Sequence, residues 1–528
     1  MMSVTDYHQR TKHSLQRYAR GPESLDWDDQ PDPFRRFDGC SIQVLPKPGE
    51  GVAIPWTELD QRKTIPAAEL NPDTIGLMLE LAFGLSAWKQ YGPDRWALRS
   101  NPSSGNLHPS EVYLVNGVTE LMPQGVYHYV SYDHHLERRC SFDNAVLHNT
   151  LLLGLSSVHW REAWKYGERA YRYCQLDAGH ALAALSYAAA ILGWRIELLS
   201  DYSDSEIAGL LGIDRKDEFI DKERETADWL CRICYNEAEV DSGRERHELL
   251  QTLRQSSWQG KARSLRAYHM YHWPVIEEVS EAAQKENNDS SVRQQDVPVR
   301  IASGCHIPAS QLIRQRRSAQ HFNGKAEPIN PEVFLRMLAA VLPCDKPPFD
   351  AWNWSSTVHW CLFVHKVEGL VPGIYCLPRS DKGHERLRKT LNPDFLWREQ
   401  DAFSGLYLLY EADVRKPAKT LSCHQAIASD SAFSLAMLAE FRENVAEHPW
   451  HYRRLFWECG LLGQILYLEA EAAGVRGTGI GCFFDDDVHG VLGIKDDTLQ
   501  SLYHFTVGEP LNDTRIQTLP PYAHLVER

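Results

Sequence analysis

The feature that most constrains this chain is that part of it is written twice. Shifting the sequence by 281 positions lays residues 171–213 over residues 452–494 without a gap, and twelve of those 43 positions are identical. Average residue usage would give roughly three. The identities include Tyr171/Tyr452, Arg172/Arg453, Gly179/Gly460, Gly193/Gly474 and Arg195/Arg476, and the block closes on Leu211-Gly212-Ile213 and Leu492-Gly493-Ile494. So long a period marks a duplicated domain rather than a solenoid. A polar stretch at 277–298, poor in large apolar residues, reads as the joint. The chain therefore divides into a first domain at 1–276, a linker at 277–298 and a second domain at 299–528.

The repeated block has a readable local structure. Residues 176–192 and 457–473 are rich in Ala and Leu and predict central helices, each stopped by a glycine, Gly193 or Gly474. Upstream, residues 111–116 and 358–365 are β-branched and aromatic runs that predict strands. Each is followed by a second strand opening on Gly-Val-Tyr at 125–127 or Gly-Ile-Tyr at 373–375, and residues 503–507 predict a late strand. Each half is thus expected to be α+β, and two joined copies pack most naturally as an internal pseudo-dimer.

Charge and hydropathy remove several function classes. The formal net charge of −15 lacks the cationic surplus that general nucleic-acid binding needs, so no nucleic-acid partner is expected. The start, Met-Met-Ser-Val-Thr-Asp-Tyr-His, has no apolar signal-peptide core, and the longest apolar run, 181–193, is too short to span a bilayer. A cytoplasmic protein with reduced cysteines and no membrane partner is expected. Cys231 and Cys234 form a lone C-x-x-C without a second pair, His448 and His451 lack a third ligand and read as surface histidines, and 485–487 reads as a loop or helix cap. No metal site is predicted.

Four segments carry candidate chemistry. The first, residues 99–109, holds Pro102, Ser103, Ser104, Gly105 and Asn106 in a turn whose amides and hydroxyls suit a planar polar ring; its bland reading is a hairpin loop. The second places Arg316 and Arg317 before Ser318, which suits a phosphate; the bland reading is a basic helix start. The third, Gly474-Val-Arg-Gly-Thr-Gly-Ile-Gly481, follows a helix and precedes a strand-like 482–484, so it is no dinucleotide fingerprint; its glycines would let backbone approach a ligand. The fourth holds Lys165 and Tyr166, a possible acid–base pair if burial lowers the lysine, with a solvated helix entry as the plain alternative. The last two are one-sided: residues 196–200 carry no glycine, and Ala446 and Glu447 replace the Lys–Tyr pair.

Taken together, these pieces resemble the FMN-dependent nitroreductase superfamily, specifically its SagB-type branch related to thiazoline/oxazoline dehydrogenases. The resemblance runs from Tyr7-His-Gln-Arg-Thr-Lys-His-Ser14, through Asn101-Pro-Ser-Ser-Gly-Asn-Leu-His-Pro109, Lys165-Tyr-Gly-Glu-Arg-Ala-Tyr-Arg-Tyr173 and Asp177-Ala-Gly-His180, to Arg316-Arg-Ser318 and Gly477-Thr-Gly-Ile-Gly481. It implies two tandem nitroreductase-like α+β domains with one composite FMN site between the halves. On that carry-over Arg316, Arg317 and Ser318 hold the phosphate and ribityl chain. Gly479 and Gly481 bring backbone donors to the flavin N5 edge, and Pro102, Ser103, Ser104, Gly105 and Asn106 line the ring. Arg515 is a further phosphate candidate, and Gln320 stands where many relatives carry another arginine. The reciprocal site, with 353–357 in place of the Pro-Ser-Ser-Gly-Asn loop, is expected to be dead or altered.

In azoline-oxidising relatives a Lys–Tyr pair matching Lys165 and Tyr166 is implicated in catalysis. The implied function is an FMN-dependent oxidoreductase that dehydrogenates a heterocyclic (azoline-like) or other small organic substrate by hydride transfer to FMN, one FMN per chain. The alternatives are a reductase of nitro or quinone-type acceptors that uses NAD(P)H as a transient co-substrate, and a non-catalytic binding module on the same fold.

Overall fold

A computed structural model describes all residues except 1, 47–48, 50–51, 60–64, 143–149, 238–241, 267, 287–302 and 526–528. The later part of the expected linker, 287–298, lies outside the described residues, and its beginning falls inside a helix, Pro274–Ala282. Among the described residues no helix is long and apolar enough to cross a membrane.

Labels follow chain order. The first half holds β1 (Leu85–Tyr91), β2 (Asp94–Arg99), β3 (Ser110–Asn116), β4 (Gly125–Val130), β5 (His135–Ser141), β6 (Leu151–Ser157), α1 (His159–Tyr166), α2 (Ala170–Ile191), β7 (Arg195–Leu198), α3 (Asp204–Leu211) and β8 (Thr226–Cys234). The second half holds α4 (Ala309–Gln315), β9 (Val358–Val364), β10 (Gly373–Leu377), β11 (Phe403–Glu411), β12 (Phe433–Glu440), α5 (His451–Ala472), β13 (Arg476–Ile480), α6 (Asp485–Leu492), β14 (Leu499–Gly508) and β15 (Gln517–Leu519).

Both halves build a mixed helix and sheet unit with one strand plan. The first sheet runs β5-β4-β3-β6-β8-β7 and the second β11-β10-β9-β12-β14-β13, each antiparallel throughout. In each, the strand after the long central helix takes the edge beside the last strand. The helices themselves, α2 and α5, are buried almost all round, which suits central helices whose apolar residues are not confined to one stripe. Gly193 and Gly474 end them with φ of 69° and 73°, the left-handed geometry of a helix stop.

The two central helices pack on each other through contacts that repeat under the 281 shift. A side chain at Gly179 would meet the backbone of Trp457, and one at Gly460 would meet the backbone of Leu176; each member of one pair is the shifted member of the other. Arg172 pairs with Asp485 at 2.8 Å, and Arg453, its shifted equivalent, pairs with Asp204, the equivalent of Asp485. The segment 485–487 is therefore more than a loop: Asp485 opens α6, fully buried between Arg169 (3.0 Å) and Arg172. Three charges can be buried there because each is paired and hydrogen-bonded.

Two further expectations are corrected. His451 is buried rather than on the surface, its Nδ1 3.1 Å from the Asn444 carbonyl oxygen, because α5 begins under the second half's core. Residues 476–480 themselves form a strand, β13, while 482–484 are irregular. Here the ladder to β14 runs through Gly477 and Gly479, whose missing side chains make room for Phe505 and Tyr503.

Candidate functional site

A cavity of about 750 Å³ opens between the two halves. That volume is in the usual range for a small-molecule or cofactor site. The first half contributes the 101–106 loop, Tyr166 and the Tyr173, Asp177 and His180 side of α2. The second contributes Arg316 to Gln320, residues 478–482 and Tyr503. A third wall comes from the C-terminal tail, which reaches back so that β15 pairs with β1, with Thr518 opposite Lys89.

The 101–106 loop is a preformed turn. Gly105, Asn106 and His108 adopt φ of 62°, 60° and 51°. Glycine is required at 105, since any side chain would collide with the Tyr166 hydroxyl. Asn106 Nδ2 donates to the Ala97 carbonyl (2.8 Å), His108 Nε2 lies 2.9 Å from Asn106 Oδ1, and the His108 amide donates to Ser103 Oγ (2.8 Å). Beneath it, the Ser104 amide donates to Asp177 Oδ1 (3.3 Å) and Ser103 Oγ donates to Glu162 Oε1 (3.4 Å). Burial pushes both carboxyls up, and each raises the other or is raised by a neighbouring acid.

The opposite wall is cationic. Arg316 and Arg317 follow the end of α4 rather than opening a helix. Arg316 stacks 5.0 Å from the Tyr467 ring centroid and Arg317 donates to the Arg314, Arg316 and Ser86 carbonyls at 2.7–3.0 Å. Burial, and then the neighbouring cation Arg316, lowers Arg317 to about 10, and burial also lowers Arg316 and Lys89. Arg476 lines the same space, and Glu471, 3.9 Å away, is a nearby acid. Ser318 Oγ donates to Tyr467 Oη (2.9 Å), which also accepts the Gly479 amide (2.9 Å).

The cavity thus brings together Pro102, Ser103, Ser104, Gly105, Asn106, Tyr166, Arg316, Arg317, Ser318, Gly479 and Gly481, along with Gln320. Lys165 stands beside it, its Nζ 5.6 Å from the Tyr166 ring centroid and 5.5 Å from that of Trp27. Arg515 is exposed and paired with Asp513 at 2.7 Å, which also lines the cavity. Sequence reading did not select Lys89, Asp177, His180, Tyr467, Arg476 or Tyr503. Asp177 and His180 carried a signal: they lie three apart on a mostly apolar helix, so they share a face, and they belong to the Asp177-Ala-Gly-His180 stretch of the resemblance. Lys89 and Arg476 carried none, because only tertiary pairing of the tail and β13 brings them here.

The residues fit an anionic, planar cofactor. Several buried polar atoms on cavity residues have no partner among the described residues: Arg316 Nε, Arg99 Nε, Asn101 Oδ1, His108 Nδ1 and Asp177 Oδ2. Unpaired buried polar atoms are rare enough to imply a missing partner. Four cations that line one cavity, Lys89, Arg316, Arg317 and Arg476, suit a phosphate.

Residues 313–509, which include the Arg-Arg-Ser and glycine segments, match the Nitroreductase family. No curated protein matches the sequence. A crystal structure from Anabaena variabilis, described as a nitroreductase, superposes with a TM-score of 0.70 at 22% identity, covering 97% of this chain and 100% of that one. Smaller overlaps occur with a protein of the Escherichia coli microcin synthetase McbBCD complex (21% identity, 38% of this chain, 79% of that one, TM-score 0.26) and with the NADPH:FMN oxidoreductase of Vibrio harveyi (16%, 38%, 68%, TM-score 0.23). The chain therefore carries a Nitroreductase family domain at residues 313–509 and, over nearly its whole length, shares the fold of the Anabaena variabilis nitroreductase structure.

Proposed function

We propose that the chain is an FMN-dependent oxidoreductase that binds one FMN in the cavity between its halves and oxidises a heterocyclic, azoline-like or other small organic substrate. The halves, 1–276 and 299–528, are read as a tandem duplication folded into an internal pseudo-dimer. The observation that carries the proposal is the pairing of Arg316, Arg317 and Arg476 from the second half with Lys89 and a polar loop, 101–106, from the first. Bound FMN would supply two-electron hydride chemistry.

The chain's own residues divide the remaining work. Arg316 and Arg317 hold the phosphate, Ser318 and the Pro102–Asn106 turn line the cofactor, and Gly481 brings backbone to its edge, whereas the Gly479 amide is already given to Tyr467 Oη. Burial, then the carboxyl of Glu162, holds Tyr166 well above its ordinary value, so its hydroxyl enters the site protonated and acts as a donor. Burial lowers Lys165, with Glu162 opposing, which moves it toward service as a base.

The test is the visible spectrum of the purified full-length chain, as isolated and after incubation with FMN, with released flavin counted per chain. One FMN per chain, lost in Arg316→Ala, is expected. Two per chain would overturn the single-site reading, and none after incubation would overturn the flavoenzyme reading.

A further inference from the structure

Cys423 and Cys482 come from distant parts of the second half, yet their sulfurs lie 2.7 Å apart. Neither is in a disulfide and both are partly exposed. Cys482 follows the last glycine of the 477–481 segment and lines the cavity; Cys423 lies just beyond a short helix, Arg415–Leu421. Cys423 and the next residue, His424, both hold φ in the left-handed region, 52° and 60°, which non-glycine residues rarely adopt. Gln425 fastens the two segments, its Nε2 donating to the Cys482 carbonyl (3.2 Å) and the Ser422 carbonyl (2.9 Å).

The surroundings make the pair unequal. His13 is tied into the same corner by its carbonyl, which accepts the Asp485 amide at 2.9 Å, and Arg169 donates to the Gly481 carbonyl adjoining Cys482 at 3.2 Å. The hydrogen bond with Cys423, against burial, and then His13 and Arg169 hold the Cys482 thiol below the ordinary thiol range, while the Cys423 thiol is held above it. A thiolate next to a protonated thiol is the arrangement of an attacking and a resolving cysteine. Cys361 and Cys376 provide a contrast: they face each other across β9 and β10 but are fully buried, with no route for an oxidant. The 281-shifted partner of Cys482 is Asp201, so the arrangement belongs to the second half alone.

We propose that Cys482 and Cys423 form a redox-active dithiol in the cavity wall, in which Cys482 reacts with a hydroperoxide and Cys423 resolves the product to a disulfide. The Cys482 thiolate attacks the terminal peroxide oxygen, an S–O bond forms, the O–O bond breaks, and the departing oxygen takes a proton and leaves as alcohol or water. The Cys423 sulfur then attacks the sulfenic sulfur, an S–S bond forms, and the hydroxyl leaves with the thiol proton as water. Two thiols give up two electrons and the peroxide accepts them. The step needs no flavin and stands whether or not the cavity binds one.

The experiment uses the reduced full-length chain, treated with hydrogen peroxide, alkylated, digested with trypsin and analysed without reduction. The peptides 420–442 and 477–495 are expected to appear joined, with the loss of two hydrogens. Cys482 should be oxidised at least about tenfold faster than Cys40, which burial pushes up to about 11. In Cys423→Ser the reaction should stop at a sulfenic acid on Cys482, trapped by dimedone. Cys361 and Cys376 report folding by remaining unalkylated. If they remain protected while Cys423 and Cys482 are still alkylated in full after peroxide, the proposal is wrong. It is equally wrong if Cys482 reacts no faster than Cys40.

Discussion

Gly179→Ala, where α2 crosses α5, sets two effects of opposite sign against each other. Within a helix alanine is favoured over glycine by roughly 1 kcal/mol. At this crossing, however, the new Cβ would stand 2.7 Å from the Trp457 Cα and 2.8 Å from its carbonyl carbon. Carbon atoms rest roughly 3.5–4.0 Å apart, so the helices must part by about 1 Å. The obstacle is the backbone of a buried helix and cannot swing aside. Overpacking of this kind costs about 1–3 kcal/mol or more, and a gap of about 1 Å forfeits a quarter to a half of the dispersion along the seam. A net loss of about 2 kcal/mol is expected. Gly209→Ala and Gly490→Ala, at two helix positions also related by the 281 shift, should do the reverse. The added Cβ meets only the Asp214 carboxylate at 3.8 Å in one case and open space in the other, so each should gain about 0.5–1 kcal/mol. Urea midpoints followed by tryptophan fluorescence decide the matter. A Gly179→Ala midpoint at or above the parent's would refute the reasoning, as would a Gly209→Ala midpoint that falls as far.

Asp485→Asn leaves Arg169 and Arg172 buried beside a neutral group and should cost about 3–5 kcal/mol at pH 7. Burial opposes the Asp485 charge, but the two arginines outweigh it and hold its pKa below the ordinary range, so its contribution is present above about pH 4 and fades as pH falls through the folded value; urea midpoints of variant and parent should converge in acid. Asp177 has the opposite sign: burial, resisted by Ser103 and Ser104, raises its folded pKa, so its stabilisation is full below about pH 4 and is lost as pH rises toward the folded value. Asp177→Asn, which mimics the protonated acid, should match the parent at pH 4 and exceed it at pH 8 by about 1–3 kcal/mol, whereas a variant equally or less stable at pH 8 would show that Asp177 is held ionised. Lys165→Ala and Tyr166→Phe should retain FMN by spectrum and lose about 10²–10⁴-fold in turnover on the true substrate; full turnover would remove the pair from the chemistry.

Much of this arrangement could be read from the residues. The central helices, their glycine stops and the strands on either side lay where periodicity and β-branched runs put them, because local preference and tertiary burial agree there. The 101–106 loop and Arg316 to Ser318 could be singled out from the residues, and the structure places them in the wall of one cavity. Other features were not legible for identifiable reasons. Asp485 looks like a helix cap until Arg169 and Arg172, more than 300 residues away in sequence, surround it. His451 has the composition of a surface position, and only the packing of α5 buries it. The C-terminal tail gives no local sign that it will cross to β1, yet it supplies one wall of the cavity.

The asymmetry of the two halves can be argued from a single pair of carboxylates. Asp177 and Glu458 are separated by the same 281 positions, both are buried on a central helix, and both accept a main-chain N–H from the segment before a strand, Ser104 at 3.3 Å and Thr357 at 3.1 Å. At Glu458 the charge is answered by a buried Arg379, and in the 353–357 segment Trp354 is buried, Arg454 lies over its ring at 5.5 Å, and Asn353 Nδ2 donates to the Leu198 carbonyl at 2.6 Å. At Asp177, a residue of the cavity wall, one buried oxygen has no hydrogen-bond partner among the described residues. An orphaned buried carboxylate is costly and is tolerated where a ligand or a proton completes it, whereas the Glu458 pair is already complete. Trp354→Ala should therefore cost about 3–5 kcal/mol as a large-to-small core substitution, yet add no second flavin to the chain, because Glu458, the equivalent of Asp177, is already paired with Arg379. A variant that gains a second flavin would mean that bulk alone closes the reciprocal position and that the paired charges there play no part.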